Sequence, residues 1–131
     1  MIGASRGVEN KTARRFISFI EEFRKLDANM QVQQITLFLN VVAQPDLTIQ
    51  EYAKRSGLGV GGPITRNLDA LSETKKVPKK NPETGEAVIT LVPGHNLVEV
   101  YEDPMDRRYK RVRPTKRGLL VYNTLVQLLG S

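Results

Sequence analysis

The sequence predicts a mainly α chain carrying one small β-hairpin, an α+β class, on three observations. Apolar residues recur at steps of three and four in separate segments before residue 72 and after residue 115, which is the period of amphipathic helices. Between them Val98, Glu99, Val100, Tyr101 and Glu102 alternate as a strand with one wet face does. From 106 to 118 seven Lys or Arg stand against one Asp beside a Pro-Met-Asp turn, so the hairpin that this turn closes is a projecting tip with its charge on display.

The first helix is predicted over 11–27, where Ala13, Phe16, Ile17, Ile20 and Phe23 form one apolar stripe. A second over 31–44 places Ile35, Phe38, Leu39 and Val42 at i, i+3, i+4 and i+7, and Pro45 stops it by lacking a donor and restricting Gln44. Thr48 with Glu51 is a capping-box pattern that starts a third helix near Ile49, with Ile49, Tyr52 and Ala53 on its buried face, Ser56 at its end and Gly57 past it. A turn through Leu58, Gly59 and Val60 follows. Gly62 and Pro63 then suit the opening of a fourth helix that runs to about Glu73. On it Ile64, Leu68 and Leu71 share one face, while Thr65, Arg66 and Asp69 point the other way.

Beyond that helix, 75–96 contains an Asn-Pro-Glu-Thr-Gly-Glu turn, an apolar run and a Pro-Gly turn, which together read as a small extra hairpin or strand. The strand-turn-strand around residues 98–114 follows. The last segment, 115–129, is a leucine-rich helix too apolar for a lone surface helix, so it needs a core or a partner. In outline, 1–10 is an N-terminal tail and 11–131 a single domain, the size that supports one core. The helices at 11–27 and 115–129 are possible dimerisation elements, and burial of both stripes within one chain fits the residues equally well.

Composition narrows the chemistry. With no cysteine and one histidine, His95, thiolate metal sites, disulfides and most histidine clusters are set aside, and no cofactor is implied. Acids such as Glu21 and Glu22, or Asp103 and Asp106, are close in sequence, yet no nucleophile is matched with a base, so an enzyme is not expected. No apolar run approaches the roughly 18 residues that span a bilayer. The opening Met-Ile-Gly-Ala-Ser-Arg-Gly lacks the apolar stretch of a secretory signal. A cytoplasmic protein without a membrane partner is therefore expected. A net charge of +6 and a pI near 9.8 make a polyanion a fitting partner.

A helix, a glycine-containing turn and a second helix with a polar free face is the arrangement that places a helix in the major groove of DNA, although an ordinary αα-hairpin has the same outline. In order, the helices, the helix-turn-helix, the basic hairpin and the closing helix resemble the winged helix-turn-helix regulators of the MarR family. That family's wing commonly carries Asp-x-x-Asp-Arg-Arg and then a Val-x-Leu-Thr-x-x-Gly run. Here Asp103, Asp106, Arg107 and Arg108, then Val112, Arg113, Pro114, Thr115, Lys116, Arg117 and Gly118, fit it with Pro114 in place of the leucine. Residues 63–71 are similar to the family's recognition helix, with Thr65, Arg66, Leu68, Asp69 and Leu71 in matching places. The likeness covers roughly 31–125. The turn at 59–62 is about a residue longer than usual, the segment 75–96 has no usual counterpart, and the chain stops short of the usual C-terminal dimerisation region.

The resemblance implies a homodimeric, sequence-specific regulator of transcription bound to double-stranded DNA, whose small-molecule effector, if any, the residues do not name. The recognition helix would enter the major groove with Thr65, Arg66 and Asp69 near base edges and phosphates, and Gly61 and Gly62 would let the backbone approach a phosphate. Arg66 is the candidate for a bidentate guanine contact, worth about 1 to 3 kcal/mol of discrimination; a local ion pair with Asp69 or Glu73 is the other reading. One of Arg107 and Arg108 would enter the minor groove, with Asp106 holding it in position or simply closing the turn. Lys110, Arg111, Arg113, Lys116 and Arg117 would neutralise phosphates, and Lys75, Lys76, Lys79 and Lys80 would extend the patch. The alternative function is a winged-helix adaptor that docks on a protein of the transcription or replication machinery through 75–96.

Overall fold

A computed structural model describes residues 8–59 and 61–130. Of the expected tail, residues 1–7 lie outside the described residues, as do Val60 of the predicted turn and Ser131. Five helices and two antiparallel two-stranded sheets follow in the order α1 (Lys11–Leu26), α2 (Val32–Ala43), α3 (Ile49–Ser56), α4 (Gly62–Leu71), β1 (Thr74–Lys80), β2 (Ala87–Pro93), β3 (Val98–Glu102), β4 (Lys110–Pro114) and α5 (Lys116–Gly130). The mainly α, α+β class is as the sequence predicts, and 75–96 supplies the extra hairpin.

Local chemistry sets the boundaries. Asn10 caps α1, its side chain accepting from the Ala13 N–H at 3.0 Å. The helix ends one residue before the predicted Asp27, which is extended and donates its own N–H to Phe23. Both halves of the capping box on α3 are made: Glu51 N–H donates to Thr48 Oγ1 at 3.3 Å and Thr48 N–H to Glu51 Oε1 at 3.2 Å. The cap of α4 is Gly61 and not Gly62, because the backbone there turns through φ 96°, which a glycine adopts without steric penalty. That helix stops at Leu71, before the predicted Glu73, since Ser72 is extended and β1 begins at Thr74.

The core shifts the face predicted for α2 and divides the stripe on α1. On α2 the fully buried residues are Leu37, Phe38 and Val41, with Ile35, Leu39 and Val42 only partly covered. This helix is apolar on most of its surface and packs against α3, α4 and β4 at once, so periodicity alone does not single out the most buried side. On α1 only Phe23 is buried; it meets Phe38 edge to face at 6.1 Å and is joined by Phe19 at 5.5 Å. Phe16 (59% exposed), Ile17 and Ile20 stay open, and so do Leu119, Leu120, Val126 and Leu129 of α5, against which α1 packs. Met30 packs against the core and Met105 stands open on the wing.

Residues 94–97 fasten the fold. Their four N–H groups donate to four consecutive carbonyls at the end of α4: Gly94 to Glu73 at 2.9 Å, His95 to Ala70 at 2.9 Å, Asn96 to Ser72 at 3.0 Å and Leu97 to Leu71 at 2.7 Å. The Ser72 hydroxyl takes the Leu68 carbonyl at 2.6 Å and its N–H takes that of Asp69. Every carbonyl that a helix end leaves without an intrahelical donor is therefore bonded. Leu97 O in turn accepts from Thr115 N–H at 3.0 Å, and α5 starts so close that a Cβ on Gly118 would lie 2.1 Å from Leu97 O.

A methyl group at that position has to displace backbone, not a flexible side chain. Gly118→Ala is expected to destabilise the chain by about 2 to 3 kcal/mol, as overpacking does. Gly130→Ala, in the same helix with open space around it, should leave stability equal or higher by up to about 1 kcal/mol. Chemical denaturation of the two variants measures the difference.

Candidate nucleic-acid interface

Two clefts bring α4 and the β3–β4 wing together on one side. The first, about 520 Å³, is lined by Thr65, Leu68 and Asp69 of α4, by Val100, Tyr101, Glu102 and Lys110 of the wing, and by Lys76 of β1. The second, about 260 Å³, sets Gly61, Ile64 and Thr65 against Arg108, Tyr109 and Lys110, with Thr48, Ile49 and Gln50 at its floor. The tip of the wing thus stands beside the N-terminus of α4. At that terminus Gly61 and Gly62 are exposed, with nothing within 4 Å of where a Cβ would be. The first-turn N–H groups of a helix have no intrahelical acceptor and carry the positive end of its dipole, so this end suits an anion.

Thr65 and Arg66 are exposed and Asp69 is half-buried. Among the described residues Arg66 makes no ion pair, so the local pairing with Asp69 or Glu73 does not form.

The wing is a ribbon with Val98 opposite Pro114 and Glu102 opposite Lys110. Its turn is closed by the Asp103 N–H donating to Tyr109 O at 2.9 Å and by the Met105 N–H donating to Asp103 Oδ1 at 2.8 Å. Asp106 holds Arg108 with two parallel bonds, Nε to Oδ1 at 2.9 Å and Nη2 to Oδ2 at 2.7 Å, and also accepts the Arg108 N–H at 3.1 Å. Even so, the Arg108 side chain is 83% exposed. These bonds from Arg108, side chain first and backbone second, keep the Asp106 carboxyl below the ordinary aspartate range.

Other cations of the run are occupied within the chain. Arg111 donates to Asp103 at 2.8 Å and to Asp46 O at 2.7 Å. Arg113 pairs with Glu99 and lies 4.3 Å over the Tyr101 ring, whose hydroxyl donates to Asp46. Arg117 donates to His95 O at 3.0 Å. Among the described residues Arg107, Lys110 and Lys116 have no side-chain partner. The five expected phosphate ligands of this run therefore divide into two unpaired cations, Lys110 and Lys116, and three guanidinium groups engaged within the chain, Arg111 and Arg113 on the wing and Arg117 at His95. The bracing pair of β4 was readable once the register was known, since Glu99 lies directly opposite Arg113 and Tyr101 opposite Arg111.

Asp46 is the anchor that sequence reading missed. It adopts φ 69°, donates its N–H to Val112 O at 2.8 Å and accepts from Tyr101 and Arg111, so the α2–α3 loop is tied to the root of the wing. Leu47 O accepts the Val112 N–H at 3.2 Å, and the buried Tyr52 hydroxyl donates to Gln44 O at 2.6 Å while accepting from Leu47 N–H at 3.1 Å. The Asp-Leu-Thr after Pro45 was the available signal, read only as a helix start.

Asp106 provides a direct check of the wing-tip geometry. Because its proton affinity is lowered in the folded chain, the stabilising contribution is present above the unfolded aspartate pKa and is lost as pH falls through the folded value. Arg108→Ala is expected to move the Asp106 carboxyl titration up toward the ordinary aspartate range, while Arg107→Ala leaves it in place; carbon-detected NMR titration reads both.

No family model matches the chain, and no curated protein sequence matches it. Solved structures do. The transcriptional repressor CouR bound to a 23-mer DNA duplex superposes with a TM-score of 0.58 at 20% identity, over 91% of this chain and 67% of that one. A cysteine-to-serine mutant of MarR from E. coli complexed with operator DNA gives 0.56 at 21% identity, over 92% and 69%. The PcaV transcriptional regulator from Streptomyces coelicolor gives 0.53 at 19%, over 89% and 71%. The chain has the MarR-like winged helix-turn-helix fold.

Proposed function

We propose that this chain is a sequence-specific, double-stranded DNA-binding regulator of transcription, which lays α4 in the major groove and sets the β3–β4 wing at the adjacent minor groove. The observation that carries the reading is the pair of clefts in which the open side of α4 and the cationic wing tip face the same space. Two solved structures of the same fold are described as complexes with DNA, which supports the same use of this surface.

Arg66 is the base-reading residue, with Thr65 and Asp69 beside it, and Gly61 and Gly62 admit a phosphate to the helix terminus. Arg108, oriented by Asp106, reads the width and potential of the minor groove together with Arg107. Lys110 and Lys116 contact phosphates. Arg111 and Arg113 contribute first through the shape of the wing that their acids help to fix, and through phosphates only with the exposed remainder of their guanidinium groups. The open apolar stripe of α1 and α5 is the homodimer surface, since Phe16, Ile20 and Leu120 stay exposed among the described residues.

Duplexes enriched from a random pool should bind wild type with a steep salt dependence, and fluorescence anisotropy should show Arg66→Ala weaker by about fivefold to about a hundredfold, the range for one lost bidentate base contact. Arg108→Ala should weaken binding most on sites with narrow A·T-rich minor grooves. Equal affinity in wild type and both variants overturns the proposal. Separately, sedimentation should give a dimer for wild type and a monomer for Ile20→Glu, which buries a charge in the proposed two-fold interface.

A further inference from the structure

Residues 75–78 of the β1–β2 ribbon line a cleft with α4 that no wing residue lines, and Lys76 also reaches the cleft shared with the wing. At about 100° per residue, Thr65, Arg66 and Asp69 span one open arc of α4. Thr65 and Leu68 edge that arc toward the wing, whereas Arg66, Asn67 and Ala70 face 75–78 across a separate cleft of about 540 Å³. The open side of α4 is thus flanked by a basic hairpin on each hand.

The two faces of the ribbon are unequal. Antiparallel pairing puts Lys76 and Lys80 on one face with Ile89 and Leu91, and Lys75 and Lys79 on the other with Val88 and Val92. Lys75 is exposed, on the face that also carries the half-buried Val77, Thr90 and Val92. It stands near His95, whose protonation is opposed by burial first and by Lys75 among the nearby charges, against the favourable pull of Asp27. Lys76 looks outward, sharing with Lys110 of the wing the cleft that holds Thr65 and Asp69. On that outward face Ile89 and Leu91 are 64% and 61% exposed.

The ribbon is also held at its root. The N–H groups of Gly94 and the three residues after it bind the end of α4, and a Cβ on Gly94 would lie 2.1 Å from Ser72 O. Its far end is closed by Asn81 N–H to Glu86 O at 2.7 Å. Seven residues per strand carry it about 20 Å from α4 at roughly 3.3 Å per residue.

We infer that this ribbon is a second wing, whose Lys76 and Lys80 face grips the phosphate backbone of the same duplex on the flank of α4 opposite the β3–β4 wing. The inference rests on the DNA-binding reading above. Two cations on one strand face, four residues and about 13 Å apart, contact separate phosphates, and Ile89 and Leu91 between the strands lie over the sugars.

Salt-dependent anisotropy on the enriched duplex tests it with four proteins: wild type, Lys76→Gln with Lys80→Gln, Lys75→Gln with Lys79→Gln, and Arg66→Ala. Both double variants lose the same formal charge, so a general effect of net charge moves them together. Loss of two phosphate contacts should reduce the log-log salt slope of the Lys76/Lys80 variant by about 1.8, so that between 50 and 200 mM salt it forfeits about twelvefold less affinity than wild type does. The Lys75/Lys79 variant should keep the wild-type slope. Equal slopes in the two double variants overturn the inference. If Arg66→Ala weakens binding while the Lys76/Lys80 variant matches wild type, only the ribbon assignment falls, and Ile89 and Leu91 are left for a protein partner. If wild type binds no duplex, the proposed function falls with it.

Discussion

Helix α4 ends in carbonyls with nowhere to send their lone pairs, and the chain returns twenty residues later to bond them. The N–H groups of 94–97 close on the carbonyls of 70–73, Leu97 O receives Thr115, and α5 passes over Leu97 at Gly118. This clasp sets three directions together. It fixes where β3 leaves for the wing, where β2 arrives from the ribbon, and where α5 departs toward α1. A helix end buried without donors would be costly; bonded in this way, it becomes the point from which the exposed elements of the fold take their orientation. The ribbon between residues 74 and 93 loops out from the clasp and back, which is how a segment of this length is accommodated without disturbing the helix-turn-helix before it or the wing after it.

The wing shows how a cationic surface is kept in shape. Seven cations within a dozen residues repel one another, and acids placed on the same ribbon counter that repulsion locally. Glu99 takes Arg113, Asp103 takes Arg111 and Asp106 takes Arg108. Pairs of this sort, two of them largely exposed and Asp103 with Arg111 partly covered, add little stability individually. Their effect lies in geometry: a planar guanidinium bound along one edge by a carboxylate has a set orientation and still offers its other edge. Asp46, reaching across from the α2–α3 loop, binds Tyr101 and Arg111 of the same network, and the Tyr52 hydroxyl holds that loop to the core through Gln44 O and Leu47 N–H on either side of it.

Much of this was legible in the residues. Thr48 with Glu51, Gly57, Pro63 and Pro45 are local signals whose physics acts within one turn of helix, and each marks a boundary to within a residue or two. The Asp106, Arg107, Arg108 run marks the wing by resemblance and by charge. What was not legible depends on distant partners. Ile35 and Leu39 share a period with Phe38, yet Leu37 and Val41 are the residues that α3, α4 and β4 enclose. The stripe on α1 fits a dimer surface and a core-facing helix equally well as sequence; in the structure Phe23 is buried, Phe19 and Leu26 pack against the core, and Phe16, Ile17 and Ile20 stay exposed. Which cations stay unpaired does not follow from strand register alone: Lys110 lies opposite Glu102 without pairing with it, whereas Arg111, opposite Tyr101, reaches Asp103 in the turn. The side of α4 on which the ribbon stands follows from the clasp, whose donors carry no side-chain signature at all.

The union of Asp106 with Arg108 has a kinetic meaning. A carboxylate and a guanidinium so joined are nearly neutral at a distance, so this pair does little to draw a polyanion in. That pull comes from Arg107, Lys110 and Lys116, whose fields fade over about 8 Å at physiological ionic strength. Once contact is made, the fixed guanidinium has little rotamer freedom left to lose, a loss of about 0.5 to 1.5 kcal/mol for a side chain that must be ordered on association. In the proposed complex, approach falls to Arg107 and retention to Arg108, and added electrolyte slows the first far more than it shortens the second.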